Sequence, residues 1–216
     1  MSWWKTKKET PVLSPLDGYN LWASTYSKES NPIKNLSDAL VEKFLPELKG
    51  KTILDAGCGT GKFCSLAENQ NAMKVVGIDL SQAMIDEAKS VCSKTEFRCL
   101  DISKATIEQS HYDVVLCVLV MGHLESLTPS LDNLLQGLKK GGILILTDFH
   151  PFLTMLHSKR TFNDKHSGKE YEIRHHLHLF QDYFRVFSDR GVVVESLEEP
   201  AYNGNPVVFG IRARKL

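Results

Sequence analysis

The stretch Ile53-Leu54-Asp55-Ala56-Gly57-Cys58-Gly59-Thr60-Gly61 constrains this chain most. A short apolar strand runs into an acid, then into glycines at every second position, then into a helix-forming segment, Lys62 to Glu68. Glycine allows both a tight turn and close approach of a ligand to the backbone. At the carboxyl end of a strand in an open α/β sheet, that combination makes a nucleotide-type cleft. The spacing G-x-G-x-G differs from the G-x-G-x-x-G of dinucleotide sites, which aims a helix N-terminus at a pyrophosphate. Asp55, two residues before the first glycine, repels a pyrophosphate and suits a ligand carrying an ammonium and a sulfonium.

The pattern on either side predicts alternating strands and helices. Residues 17–30 carry Tyr19, Trp22 and Tyr26 at helical spacing, and 36–48 carry the apolar stripe of an amphipathic helix. Lys74 to Ile78 is a strand, Ser81 caps a helix bearing Met84, Ile85 and Ala88, and Phe97 to Leu100 is a weak strand. Asp113 to Leu119 is apolar almost throughout, as a strand covered on both faces must be. A helix from Thr128-Pro129 through Leu138 is expected to stop at Gly141-Gly142, before a strand over Ile143 to Thr147. Residues 149–179 have no clear period. A helix over 179–188 and two β-rich runs, 191–197 and 206–214, joined through Asn203-Gly204-Asn205, follow. The β-α order predicts an α/β fold, a doubly wound, mixed sheet closed by one antiparallel strand at the edge.

Two further acids end strands. Asp79, in Gly77-Ile78-Asp79-Leu80-Ser81, suits both hydroxyls of a ribose. Asp101, in Cys99-Leu100-Asp101-Ile102, suits an exocyclic adenine amine, with Ile102 against the ring. Asp55, Asp79 and Asp101 thus make a row along one rim.

Composition narrows the partners. Lys+Arg and Asp+Glu are each 26, giving a formal net charge of zero, which weighs against nucleic acid. The five cysteines include no C-x-x-C pair and read as reduced thiols with no zinc site. Residues 1–10 have lysines but no apolar region behind them, so no signal peptide is expected. The longest apolar runs, such as Val114 to Met121, fall far short of a membrane span. A cytoplasmic protein without a membrane partner is expected.

With these residues in hand, the chain resembles the class I S-adenosylmethionine-dependent methyltransferases over about residues 35–148. ILDAGCGTGKF, VVGIDLS, CLDIS, HYDVVLCVLVMGHLE and LKKGGILILTD are similar to five successive motifs of that family, in order and spacing. The resemblance implies a seven-stranded Rossmann-like sheet and S-adenosylmethionine as cofactor. It implies that Gly57, Gly59 and Gly61 carry the methionine moiety, with Asp55 near its amino group. Asp79 takes the ribose, Leu80 and Met84 flank sugar and adenine, Asp101 and Ile102 hold the adenine, and Val118 lies beneath the sulfonium end. For Leu80, Met84 and Val118 the plain alternative is core packing. Tyr19 to Tyr26 resembles the lid of small-molecule members, including quinone-pathway methyltransferases, although the family's acid after the last Tyr is Ser27 here. For Tyr19 and Tyr26 the alternative is again core.

Val118-Leu119-Val120-Met121 stands where amino-group methyltransferases carry an Asn/Asp-Pro-Pro-aromatic tetrapeptide. His123 follows and is either a general base at the site's mouth or a histidine bonded to a turn. Six of the eight histidines lie in 150–178, and no metal site is expected of them. The expected organisation is an arm and lid over 1–34 and a methyltransferase domain over 35–216, with an acceptor-site insertion at about 149–178. The expected activity is methyl transfer to a small-molecule acceptor. The alternatives are a non-catalytic S-adenosylmethionine-binding partner or regulatory protein and a nicotinamide oxidoreductase. The sequence leaves the oligomeric state and the acceptor's identity open.

Overall fold

The computed structural model describes residues 10–29 and 31–216. Residues 1–9, on which most of the signal-peptide reading rests, lie outside it. Seven strands form one sheet: β1 (Thr52–Ala56), β2 (Lys74–Asp79), β3 (Glu96–Cys99), β4 (Tyr112–Val118), β5 (Leu138–Phe149), β6 (Val192–Glu198) and β7 (Val208–Lys215), in the order β3-β2-β1-β4-β5-β7-β6. β1 to β5 pair in parallel, and β7 pairs antiparallel with both β5 and β6. The single reversed strand is therefore as expected, but it lies one place in from the edge, and β6 takes the edge. The link between β6 and β7 is long enough to hold its own small hairpin, Ala201–Tyr202 against Asn205–Pro206, so β7 is free to return between its neighbours.

Side chains of β1 alternate between two cores. Leu54 and Ala56 face one, with helices α5 (Thr128–Gly137) and α7 (Phe180–Asp189). Ile53 faces the other, with α2 (Pro32–Phe44), α3 (Lys62–Asn69) and α4 (Gln82–Val91). β1 is buried at every position, which is why its sequence is apolar up to Asp55. α5 ends at Gly137, four residues before the expected glycine stop. Leu138 already pairs with Tyr112, and the left-handed Gly141 (φ 78°) falls in an irregularity of the β4–β5 register. Sheet pairing here overrides the apolar helical spacing of Leu138.

Residues 10–16 are not a loose arm. Val12–Leu13 pairs in parallel with the strand Lys169–Ile173, which forms a hairpin with Thr161–Asp164. Ser14 then caps α1 (Pro15–Tyr26), accepting from the Asp17 N–H at 3.1 Å. Gly18 of α1 is needed for close packing, since a Cβ there would lie 2.9 Å from Ile173. Trp22 stacks on Phe162 at 4.7 Å between centroids. The N-terminal segment and the segment after β5 thus form one layer over the carboxyl ends of the parallel strands. Among the described residues no helix is long and apolar enough to cross a membrane.

Candidate active site

The chain leaves β1 for β2 and β3 on one side and β4 and β5 on the other, so the switch point lies between β1 and β4. There the glycine loop meets the segment after β4. A Cβ on Gly57 (φ 80°) would sit 2.1 Å from Val120 Cγ2, so only glycine fits. Gly59 (φ 52°) differs: a Cβ there meets nothing within 4 Å and would project into open space. Gly61 (φ 82°) precedes α3, and its Cβ would press on Ala88 at 3.0 Å. It is not among the residues lining the two cavities that the loop borders. Gly61 admits α4 close to α3.

Two cavities flank the loop. One, of about 420 Å3, is lined by Tyr19, Tyr26, Gly57, Gly59, Asp79, Leu80, Met84, Asp101, Ile102, Val118 and His123, among others. The other, of about 510 Å3, is lined by Asp55, Gly57, Gly59, Lys34, Asp38, Lys62 and Val118, among others. A third, of about 260 Å3, lies under the capping layer beside Tyr19, Trp22, His123 and Phe149. Tyr26 and Leu119 border all three. Leu119 has φ 59°, a left-handed conformation unfavourable for a leucine, and its N–H is held by the Thr147 carbonyl at 2.8 Å. Strain of this kind concentrates at functional sites.

Asp79 holds the loop. Its Oδ2 accepts the Gly59 N–H at 2.8 Å and its Oδ1 the Ser81 N–H at 2.9 Å. Burial pushes its pKa up, against the pull of those backbone N–H groups. Asp55 is 1% exposed. Its Oδ2 accepts from the Cys64 thiol at 3.4 Å, and its Oδ1 has no hydrogen-bond partner. Burial raises its pKa to about 7, more than the Cys64 bond lowers it. Asp101 accepts from the Ser103 hydroxyl at 2.6 Å and backbone N–H at 2.9 Å. Burial pushes its pKa up, but these bonds and Lys104 outweigh it and hold the pKa down. Leu80 is 37% exposed at the rim, whereas Met84 is 1% exposed and serves both core and cavity wall.

Sequence reasoning missed several supports. The Ser81 hydroxyl caps α4 and donates to Asn20 Oδ1 at 2.6 Å, pinning α1 over the first cavity. Asp148 is 1% exposed at the end of β5 and accepts the Gly122 N–H at 2.6 Å. Nothing in the local pattern marks Asn20, and Asp148 carries only the signal of an acid at a strand end.

His123 ends a short 3-10 turn, Met121–His123. Its Nδ1 is 3.0 Å from the Arg174 carbonyl and its Nε2 2.8 Å from the Tyr19 hydroxyl. A carbonyl only accepts, so Nδ1 carries the proton and Nε2 accepts from Tyr19. Burial, then the Arg160 charge, holds the His123 pKa well below its usual value, so the ring is neutral. Burial pushes Tyr19 up to about 12, so its hydroxyl keeps its proton. His123 is bonded to backbone and borders the cavity. The neighbouring histidines do structural work: His150 accepts the Phe152 N–H at 3.1 Å and His178 donates to the Leu124 carbonyl at 2.8 Å.

A glycine cradle that a Cβ would invade, an orphaned buried carboxylate oxygen and a second carboxylate at the next strand end fit a cationic nucleoside rather than a pyrophosphate. Comparison with known proteins agrees. The model of a family described as "Methyltransferase domain" matches residues 31–197. An uncharacterized protein of Haemophilus influenzae is 31% identical over 179 residues, covering 76% of this chain and 70% of its own. A ubiquinone biosynthesis O-methyltransferase of Coxiella burnetii is 29% identical over 125 residues, covering 54% of this chain; the match spans 53% of that enzyme, about half its length. Among solved structures, an S-adenosylmethionine-dependent methyltransferase from Mesorhizobium loti superposes with a TM-score of 0.70 at 22% identity, covering 82% of this chain and 96% of that one. The chain belongs to the methyltransferase-domain family, and it shares the fold of an S-adenosylmethionine-dependent methyltransferase.

Proposed function

We propose that this enzyme methylates a small organic acceptor held in the cavity beneath the layer formed by residues 10–29 and 149–178. The observation that carries the reading is the meeting of three cavities at Tyr26 and Leu119. In this reading the cavity bordered by Asp79, Leu80, Met84, Asp101 and Ile102 takes the adenosine. The cavity bordered by Asp55, Gly57 and Gly59 takes the amino-acid end, and the third takes the acceptor. When bound, the cofactor supplies a methyl group already activated on a sulfonium. The protein's own part is positioning: the glycine loop and the strained Leu119 fix the junction, and α1 excludes water above it. Tyr19, Tyr26 and Val118 wall the junction. His123 acts through Tyr19, whose oxygen receives the acceptor's proton as its own passes to Nε2.

The charge balance of 26 against 26 and the small size of the third cavity support a small molecule over a nucleic acid. Five free cysteines suit a reducing compartment and support a cytoplasmic enzyme. Matching names among relatives, a ubiquinone biosynthesis O-methyltransferase and a malonyl-[acyl-carrier protein] O-methyltransferase, are in keeping with oxygen as the methylated atom. Two measurements test the proposal. S-adenosylhomocysteine should raise the melting temperature, whereas NAD should not. Label from S-adenosyl-[methyl-3H]methionine should then enter the low-molecular-weight fraction of a metabolite extract. Label found only in RNA, DNA or protein would reject the small-molecule acceptor.

A further inference from the structure

Arg160 brings into the third cavity a charge that the fold answers only in part. Its side chain is 12% exposed, and its Nη1 is sealed from solvent without a hydrogen-bond partner among the described residues. Asp148, its ion-pair partner, is 3.7 Å away, beyond hydrogen-bond distance. That carboxylate is engaged elsewhere: its two oxygens accept the Gly122 and Phe149 N–H groups, each at 2.6 Å. The guanidinium lies over the Phe149 ring at 5.0 Å.

The other charges lining this cavity each keep one polar partner, though Glu29 Oε1 is sealed without a hydrogen bond as Arg160 Nη1 is. Lys159 pairs with Glu172 at 2.8 Å, and Lys34 donates to the Tyr26 carbonyl at 3.1 Å. Glu29 accepts from the Trp22 indole at 3.0 Å. Three cations and one acid line the space, and the carboxylates of Glu172 and Asp148 stand behind two of the cations. Burying a guanidinium with unmet donors is unfavourable, and a planar fork of N–H groups is matched best by a carboxylate. Tyr19, Trp22 and Phe149 line the same space.

We propose that the methyl acceptor is an aromatic carboxylate, its anionic group bound by Arg160 and its ring lying among Tyr19, Trp22 and Phe149. The proposal rests on the acceptor reading given above for the third cavity. An anion on Arg160 also cancels part of the positive field that, after burial, holds the His123 pKa down. Binding the acceptor thereby makes the residue behind Tyr19 a better proton acceptor.

The test uses the full chain saturated with S-adenosylhomocysteine, titrated with benzoate and with its neutral isostere benzamide. Benzoate should bind at least about tenfold more tightly, and Arg160→Met should erase the difference while leaving S-adenosylhomocysteine affinity unchanged. Equal binding of the two probes to the wild-type protein, no benzoate binding at millimolar concentration, or an unchanged preference in Arg160→Met would each overturn the proposal. Should Arg160→Met fail to fold, the wild-type comparison still decides. Loss of S-adenosylhomocysteine binding by the wild-type protein would instead strike the methyltransferase reading, so the two failures are distinct.

Discussion

The Asp79 carboxylate accepts the Gly59 amide N–H at 2.8 Å, tying the end of the second strand to the middle of the glycine loop. The loop's central residue is therefore positioned by an acid twenty residues away, and the same acid orients the first turn of α4 through Ser81. One carboxylate thus sets the relative placement of two cavity walls.

Replacing Gly59 by Val should abolish cofactor binding while the fold survives. The added side chain meets no protein atom but enters the open space beside the loop. Its left-handed φ costs roughly 1–2 kcal/mol, which lowers the melting temperature by about 2–8 °C. Calorimetric titration with S-adenosylhomocysteine, paired with a thermal melt, checks both halves.

Asp79→Ala should weaken S-adenosylmethionine binding by roughly ten- to a hundredfold. The change removes the acceptor expected to take the ribose diol and also releases the Gly59 and Ser81 N–H groups. A 2′,3′-dideoxyribose analogue separates the two effects. If the mutation weakens that analogue as much as the natural cofactor, Asp79 only shapes the loop.

Cofactor binding should release a proton near neutral pH. Asp55 is held at about 7 by burial, so in the free protein it is largely protonated at pH 6. A ligand ammonium favours the charged form. Affinity for S-adenosylhomocysteine should therefore climb as pH rises toward 7, by up to about tenfold per unit, and level off above. Calorimetry at pH 6.5 in buffers of different ionisation enthalpy should detect the proton, and Asp55→Asn should remove it. For stability the sign is opposite: the raised pKa favours the native state below 3.8, and that contribution is lost as pH rises through about 7.

His123 should make the protein less stable in acid. Its pKa is depressed in the folded state, so the unfolded chain binds the proton more readily. The contribution is fully present above the unfolded value of 6.5 and is lost as pH falls below it. Its slope is at most about 1.4 kcal/mol per pH unit. His175 and His176 shift in the same direction. The quantity to measure is thus the difference in urea stability between wild type and His123→Gln from pH 7.5 to 5.5. A difference that does not change with pH would mean that His123 is protonated as easily in the native state as in the unfolded one.

The strand-loop-helix unit around Gly57 and the acids at Asp79 and Asp101 were legible because each rests on local chemistry. An apolar strand must end somewhere, glycine alone accepts the turn, and an acid beyond a strand faces the same rim. The alternation of elements carried the sheet for the same reason, since periodicity is a property of neighbouring residues. The place of β7 inside the edge was not legible, because two β-rich runs joined by a turn pair in the same register whichever of them meets β5. Nor did the sequence distinguish Gly59, open to the cavity, from Gly61, pressed on Ala88; both have positive φ, and only α4 decides between them. Tyr19 and His123 are 104 residues apart, and Asp148 and Arg160 meet only after α6 (Pro151–Met155) turns the chain back. Local pattern alone set the parallel sheet, the row of strand-end acids and the family. Packing set the third cavity. Its residues come from α1, the turn after β4 and the hairpin after β5, and a cavity assembled from distant segments has no local pattern to read.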